Sequence, residues 1–243
     1  MKGIILAGGT GSRLRPITHV LNKNLLPVYN KPAIFYSIEM LRDSGIYNIC
    51  IVAEYKYVED FKTIIGNGID FGVDVEFISD SPLKKGPASA VNHARNFVKG
   101  DSCVVVFADG IYDLNISNEV SNFKEGALIF VKAVDDPHRF GIVEISDNGE
   151  VLSIEEKPMN PKSNYAQTGL AIYDNRLFNL LHKQKPSPDG EYYLTDINIE
   201  YLNAGNLKAN VIDCFWQDVG TFDGLLRASN YFHSKFISAN INS

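Results

Sequence analysis

The sequence predicts an α/β fold: one domain with a mostly parallel central sheet, flanking helices and a mixed β extension. Three observations predict it. Short apolar runs alternate with helical stretches through the first half of the chain. The first of these runs leads straight into the glycine-rich turn Gly8-Gly9-Thr10-Gly11. Later strand-like segments lie close together, and Asp147-Asn148-Gly149 reads as the turn of a hairpin. Strands separated by helices imply βαβ units with right-handed crossovers, and so a parallel sheet.

Residues 2–7 form a compact apolar run ending in glycines, as expected of a strand buried on both faces. The start is too short for a leader peptide and reads better as this strand. Residues 33–44 carry Ile34, Ile38 and Leu41 at helical spacing, and Gly45 follows as a stop. Residues 48–53 are the next apolar strand, 58–65 a helix and 73–78 extended. Residues 88–97 read as a helix, and 103–108 as another continuous apolar strand. In the second half, 127–133, 141–145, 151–156 and 165–173 are strand-like. Leu177, Leu180 and Leu181 mark a helix that ends near Lys185-Pro186. A further helix is expected over 197–202 and a last strand over 207–212. The polar segment 233–243 is expected to fray. No repeat or linker interrupts the chain, so 1–243 is read as one domain.

With 45% hydrophobic and 21% charged residues, the 243-residue chain has ordinary globular composition, which excludes a disordered or fibrous protein. A net charge of −6 argues against a general nucleic-acid partner. No apolar run approaches the length of a membrane span, so no membrane partner is expected. The three cysteines stand far apart, with no Cys/His cluster for zinc and no disulfide framework. A reducing cytoplasm is the expected location.

The turn after the first strand suits an anion. Glycine lets the chain turn sharply and lets a ligand approach the backbone N–H groups. Successive N–H groups in such a turn form an anion-binding concavity. Arg13, just beyond, offers a fixed guanidinium fork. The plain alternative is a tight turn with no ligand. The spelling is neither GxxxxGK[ST] nor GxGxxG, because Leu14 holds the third glycine slot of the latter. That argues against a nicotinamide-dependent oxidoreductase.

The longer pattern runs LAGGTGSRL, then Lys23 in NKNLLPV, FADGIY at 107–112, DDPHRFGIVEI at 135–145 and EEKP at 155–158. KSNYAQTGLAIYD at 162–174, GEYYLTDIN at 190–198 and WQDVGT at 216–221 follow. In these blocks the chain resembles the sugar-1-phosphate nucleotidylyltransferases, above all the short thymidylyltransferases, almost from end to end. The resemblance implies a Rossmann-like nucleotidyltransferase fold with a nucleotide-binding part at about 1–112 and a sugar-binding part at about 127–222. It implies that a sugar 1-phosphate attacks the α-phosphorus of a nucleoside triphosphate and that pyrophosphate leaves. The expected substrates are dTTP or UTP and glucose 1-phosphate. Mg²⁺ is the implied cofactor, and homo-oligomers are common in the family.

The implied roles attach to particular residues. Leu6, Gly8, Gly9, Thr10 and Gly11 cradle the nucleotide, Arg13 holds the leaving pyrophosphate and Lys23 the α-phosphate. Asp109, at the end of a strand, and Asp218 hold the metal, which prefers one or two carboxylates plus phosphate oxygens. Glu156 binds sugar hydroxyls and Lys157 the sugar phosphate. A glutamate that continues an apolar strand face needs such a partner. Gly141, Thr168, Gly169 and Glu191 match further sugar contacts, and Gly86 a base contact.

Three positions depart from the family pattern. Ser81 stands where relatives carry a base-reading Gln, Gly110 where they carry Asn, and Phe140 where an aromatic hydroxyl is common. These changes leave open another base, a modified sugar or another phosphorylated acceptor. A catalytically silent sugar-nucleotide-binding homologue is the remaining alternative.

Overall fold

The computed structural model describes residues 1–80 and 86–241. Strand β1 (Lys2–Leu6) leads through short 3-10 turns to a small hairpin of β2 (Pro27–Val28) and β3 (Lys31–Pro32). Helix α1 (Ala33–Asp43), β4 (Asn48–Glu54), α2 (Val58–Ile65) and β5 (Asp74–Asp80) complete two βαβ units. Next come α3 (Pro87–His93), α4 (Arg95–Val98), β6 (Cys103–Phe107), β7 (Gly110–Tyr112) and α5 (Ser117–Asn122). The second half holds β8 (Ala127–Ala133), β9 (Gly141–Ile145), β10 (Val151–Glu156) and β11 (Tyr165–Tyr173). It ends with α6 (Leu177–Lys183), α7 (Leu194–Asn203), β12 (Leu207–Val211), β13 (Trp216–Asp218) and α8 (Phe222–Ile241).

One nine-stranded sheet runs β10-β9-β11-β6-β1-β4-β5, with β8 pairing both β11 and β12. The α/β class follows the sequence expectation. Strands β6, β1, β4 and β5 are mutually parallel. Strand β11 then runs antiparallel to β6, with Leu170 opposite Val106, and carries the mixed extension through β8 and β9. Ile4 and Ile5 show why β1 reads as continuously apolar. Both are fully buried, and they enter separate cores on the two faces of the sheet.

This order creates the place for a ligand. From β1 the chain steps to β4 on one side, while β6 is added on the other. Their carboxyl ends open at such a switch point. A second, small sheet closes the crevice: β13 pairs antiparallel with β7, putting Asp218 opposite Gly110.

Two local expectations change. The helix expected over 88–97 breaks at Ala94, which keeps Val91, Ala94 and Val98 all fully buried. The segment expected to fray from residue 233 is helical through Ile241. Its anchors are distant in sequence: Tyr29 meets the rings of His233 and Phe236, and Lys235 pairs with Asp113 at 2.5 Å.

Candidate active site

A cavity of about 420 Å³ lies at the switch point and reaches into the mixed extension. Leu6, Gly8, Gly9, Lys23 and Gly86 line it from the N-terminal half, and Asp109, Gly110 and Asp218 lie between the halves. Phe140, Gly141, Glu156, Lys157, Thr168, Gly169 and Glu191 line it from the C-terminal half. Thr10 and Gly11 are outside the lining, as is Arg13, an exposed residue. Ser81 lies outside the described residues.

Lys23 is delivered by a tied turn. The buried Asn22 donates its amide to Ala7 O at 3.3 Å and accepts from Asn24 N at 2.9 Å. That links the 3-10 turn Lys23–Leu25 to the end of β1. Gly9, at φ 93°, leaves the room: a side-chain carbon there would stand 3.2 Å from Lys23 Nζ. The ammonium pairs with Asp109 Oδ2 at 2.5 Å.

The two aspartates meet through the β7–β13 pair. Val219 N donates to Asp109 O at 2.9 Å, and Gly220 N donates to Asp218 Oδ1 at 2.6 Å. Burial, and then the charge of Asp109, pushes the Asp218 carboxyl above its ordinary value. Arg13 and Arg139 oppose that shift, and Arg139 Nη2 lies 3.9 Å from Asp218 Oδ2. Two mutually repelling carboxylates would suit a divalent cation of the Mg²⁺ type, whose charge would relieve that repulsion. No group of three or more metal-ligating side chains occurs among the described residues.

The other half presents an anion and a cation side by side. Thr195 Oγ1 donates to Glu156 Oε2 at 2.5 Å. Lys157, held at φ 45°, lies 3.5 Å from Glu156 Oε1 and 3.4 Å from the Tyr193 hydroxyl. Tyr193 in turn donates to Asp189 Oδ2 at 2.6 Å. Burial and the Asp189 carboxylate both hold the Tyr193 phenol in its neutral form. Phe140 meets the edge of Trp216 at 5.6 Å.

Several expected contacts already have structural partners. Thr168 donates Oγ1 to Phe130 O at 2.9 Å, and its carbonyl accepts from Tyr112 at 2.6 Å. The backbone of Tyr192 crosses so close to Gly86 that a side chain there would collide with it. A carbon on Gly110 would stand 2.9 Å from the Tyr112 hydroxyl, so the tyrosine fills that space.

Sequence reading missed Asn22, Gln167, Tyr193, Thr195 and Asn198. Thr195 and Asn198 stand three apart on α7, one face of one helix, inside a block from which only Glu191 was taken.

A family model for nucleotidyl transferases matches residues 2–235. The chain belongs to that family. This nucleotidyl transferase is 38% identical over 237 residues to glucose-1-phosphate thymidylyltransferase of Neisseria meningitidis serogroup A, covering 95% of the chain and 82% of the relative. It is 40% identical over 237 residues to the enzyme of the same name from Mycobacterium tuberculosis, with the same coverage. A Bacillus anthracis protein assigned as a glucose-1-phosphate thymidylyltransferase, crystallised with sucrose, superposes with a TM-score of 0.90 at 41% identity. That match covers 95% of this chain and 94% of the other. A UDP-glucose pyrophosphorylase bound to UDP-glucose shares the fold, with a TM-score of 0.85 at 21% identity over 96% of this chain and 98% of the other.

Proposed function

We propose that this nucleotidyl transferase joins dTTP or UTP to glucose 1-phosphate, releasing pyrophosphate and an NDP-glucose. One observation carries the reading. Lys23, Asp109 and Asp218 share a single cavity with Glu156 and Lys157, so phosphate-binding and hydroxyl-binding groups face one space. The nucleotide is assigned to the part within about 1–112 and the sugar to about 127–222.

The sugar phosphate is largely dianionic near neutral pH, because second phosphate pKa values lie near ~6. It attacks without a general base. The task is to bring two anions together and to neutralise charge moving onto pyrophosphate. In this reading Lys23 leaves Asp109 for the α-phosphate, and Lys157 holds the sugar phosphate. Glu156 orients the ring through its hydroxyls. Arg13, next to Gly220 and Asp218, meets the leaving pyrophosphate. Asp109 and Asp218 would hold Mg²⁺, which supplies charge neutralisation on the phosphates. A cytoplasmic location fits a chain whose three cysteines are all free, the part-exposed Cys214 included. A homo-oligomer is carried over from the family resemblance.

The reverse reaction tests the reading. Purified protein, Mg²⁺ and pyrophosphate should convert dTDP-glucose or UDP-glucose to the triphosphate and glucose 1-phosphate. Formation of neither triphosphate overturns it.

A further inference from the structure

Glu156 ends a hydrogen-bond chain that starts in the core. Tyr173, 1% exposed, donates its hydroxyl to Asn198 Oδ1 at 2.8 Å. Asn198, 2% exposed, donates Nδ2 to Gln167 Oε1 at 2.6 Å. Gln167 donates Nε2 to Thr195 Oγ1 at 3.1 Å, and Thr195 donates to Glu156 at 2.5 Å. Every proton points the same way. An ionised carboxylate only accepts, so Thr195 spends its proton there and must accept from Gln167. That orients the Gln167 amide with its nitrogen toward Thr195 and its oxygen toward Asn198.

An amide nitrogen carries two N–H groups. Gln167 uses one on Thr195, and among the described residues no acceptor meets the other. The residue lines the cavity. Strand β11 is built irregularly here: its register with β8 shifts between Gln167 and Ala171, and Gly169 takes φ 83°. Such a bulge re-aims the neighbouring side chains. The amide also converges with Glu156. Gln167 Nε2 and Glu156 Oε2 both bond Thr195 Oγ1, at 3.1 and 2.5 Å, so they stand no more than about 5.6 Å apart, and all three residues line the cavity. One ligand oxygen can bridge a gap of that size between two hydrogen-bonding atoms. It must accept from an N–H and donate to a carboxylate, which on a sugar ring describes a hydroxyl.

We infer that Gln167 is a specificity-determining residue that grips, together with Glu156, one ring hydroxyl of the sugar. The inference rests on the proposed transfer reaction and adds what the sugar must carry: a free hydroxyl at the carbon held between these two side chains. A deoxy or O-alkylated sugar at that carbon loses the contact. A carboxylate substituent there is repelled by Glu156.

The test is calorimetric titration of wild type and Gln167→Met with dTDP-glucose or UDP-glucose, whichever binds more tightly, and with its monodeoxy analogues. Methionine matches the length of glutamine without its donor or acceptor. Wild type should bind one monodeoxy analogue at least about fiftyfold more weakly than the parent, because a bond to a carboxylate and one from an amide are lost together. In Gln167→Met that penalty should shrink by about fivefold, with the other analogues little changed. A purely structural role would weaken all the ligands alike. Should Gln167→Met fail to fold, as judged by thermal unfolding, Gln167→Ala takes its place. Equal discrimination by both proteins overturns the assignment and leaves the transfer reading intact, as does a wild type indifferent to every analogue. A wild type that binds neither nucleotide-sugar overturns both.

Discussion

Lys23 and Asp109 form a 2.5 Å ion pair inside the cavity, with both side chains less than one-fifth exposed. The proposed reaction asks each of them for something else: the ammonium for the α-phosphate, the carboxylate for the cation. Substrate loading is then an exchange of partners. In the resting cavity the ammonium offsets the charge of Asp109, which together with burial raises the neighbouring Asp218 carboxyl.

Removing the ammonium should therefore show in two ways. Lys23→Ala should lower kcat by about a hundredfold to a thousandfold, the usual range for losing one charge-stabilising donor. It should also lower the Tm of the metal-free protein, because Asp109 is left part-buried beside Asp218. Mg²⁺ should restore most of the lost Tm. Steady-state kinetics and thermal unfolding with and without Mg²⁺ check both effects.

Asp218 is held against its own charge by burial and by Asp109. An amide keeps the acceptor for Gly220 N and drops the repulsion. Asp218→Asn should raise the metal-free Tm by about 2–4 °C while abolishing transfer. A raised carboxyl pKa gives a folded state that keeps its proton longer than the unfolded chain. The wild type thus loses stability as pH rises through the raised value, and the advantage of the variant should grow with pH over that window. Thermal unfolding across acidic to neutral pH measures it.

Asp113 behaves in the opposite sense. Burial pulls its carboxyl up, but hydrogen bonds from Lys235 and Tyr231 outweigh that and hold it below the usual value. Stability from this latch is present above the unfolded pKa of ~3.9 and is lost as pH falls through the folded value. Hydrogen exchange should show the end of α8 opening in acid before the central sheet. Asp113→Asn should show that opening already at neutral pH.

Thr195 is the link between the buried amides and Glu156. Thr195→Val removes the hydroxyl at similar volume. Its KM for the sugar 1-phosphate should rise about tenfold, with the KM for the triphosphate changed less than about twofold. Steady-state kinetics with each substrate varied in turn resolves the two.

The parts legible in the sequence are those in which local pattern and position coincide. Strand β1 is an unbroken apolar run because both of its faces are covered, and its glycine turn lies at the sheet's carboxyl edge. Asp109 follows an apolar run in the sequence, and in space it sits in the short turn between β6, which ends at Phe107, and β7. The meeting of Asp109 with Asp218 has no local signature, since it depends on the pairing of two three-residue strands, β7 and β13. Gln167, Thr195 and Asn198 were hidden for a related reason. Each has an ordinary neighbourhood on β11 or α7, and only the packing of that helix beside the sheet joins them. Residues 233–241 read as a fraying tail because their polar sequence hides long-range anchors to Tyr29 and Asp113.

In the proposed reaction, one cavity joins a nucleoside triphosphate to a sugar 1-phosphate. The most direct test is a pyrophosphate-release panel with Mg²⁺, crossing dTTP, UTP, CTP, ATP and GTP with several sugar 1-phosphates and identifying products by mass. Turnover is expected with dTTP or UTP and glucose 1-phosphate, giving the matching NDP-glucose. Folded protein that binds nucleotide but releases no pyrophosphate with any pair would contradict it.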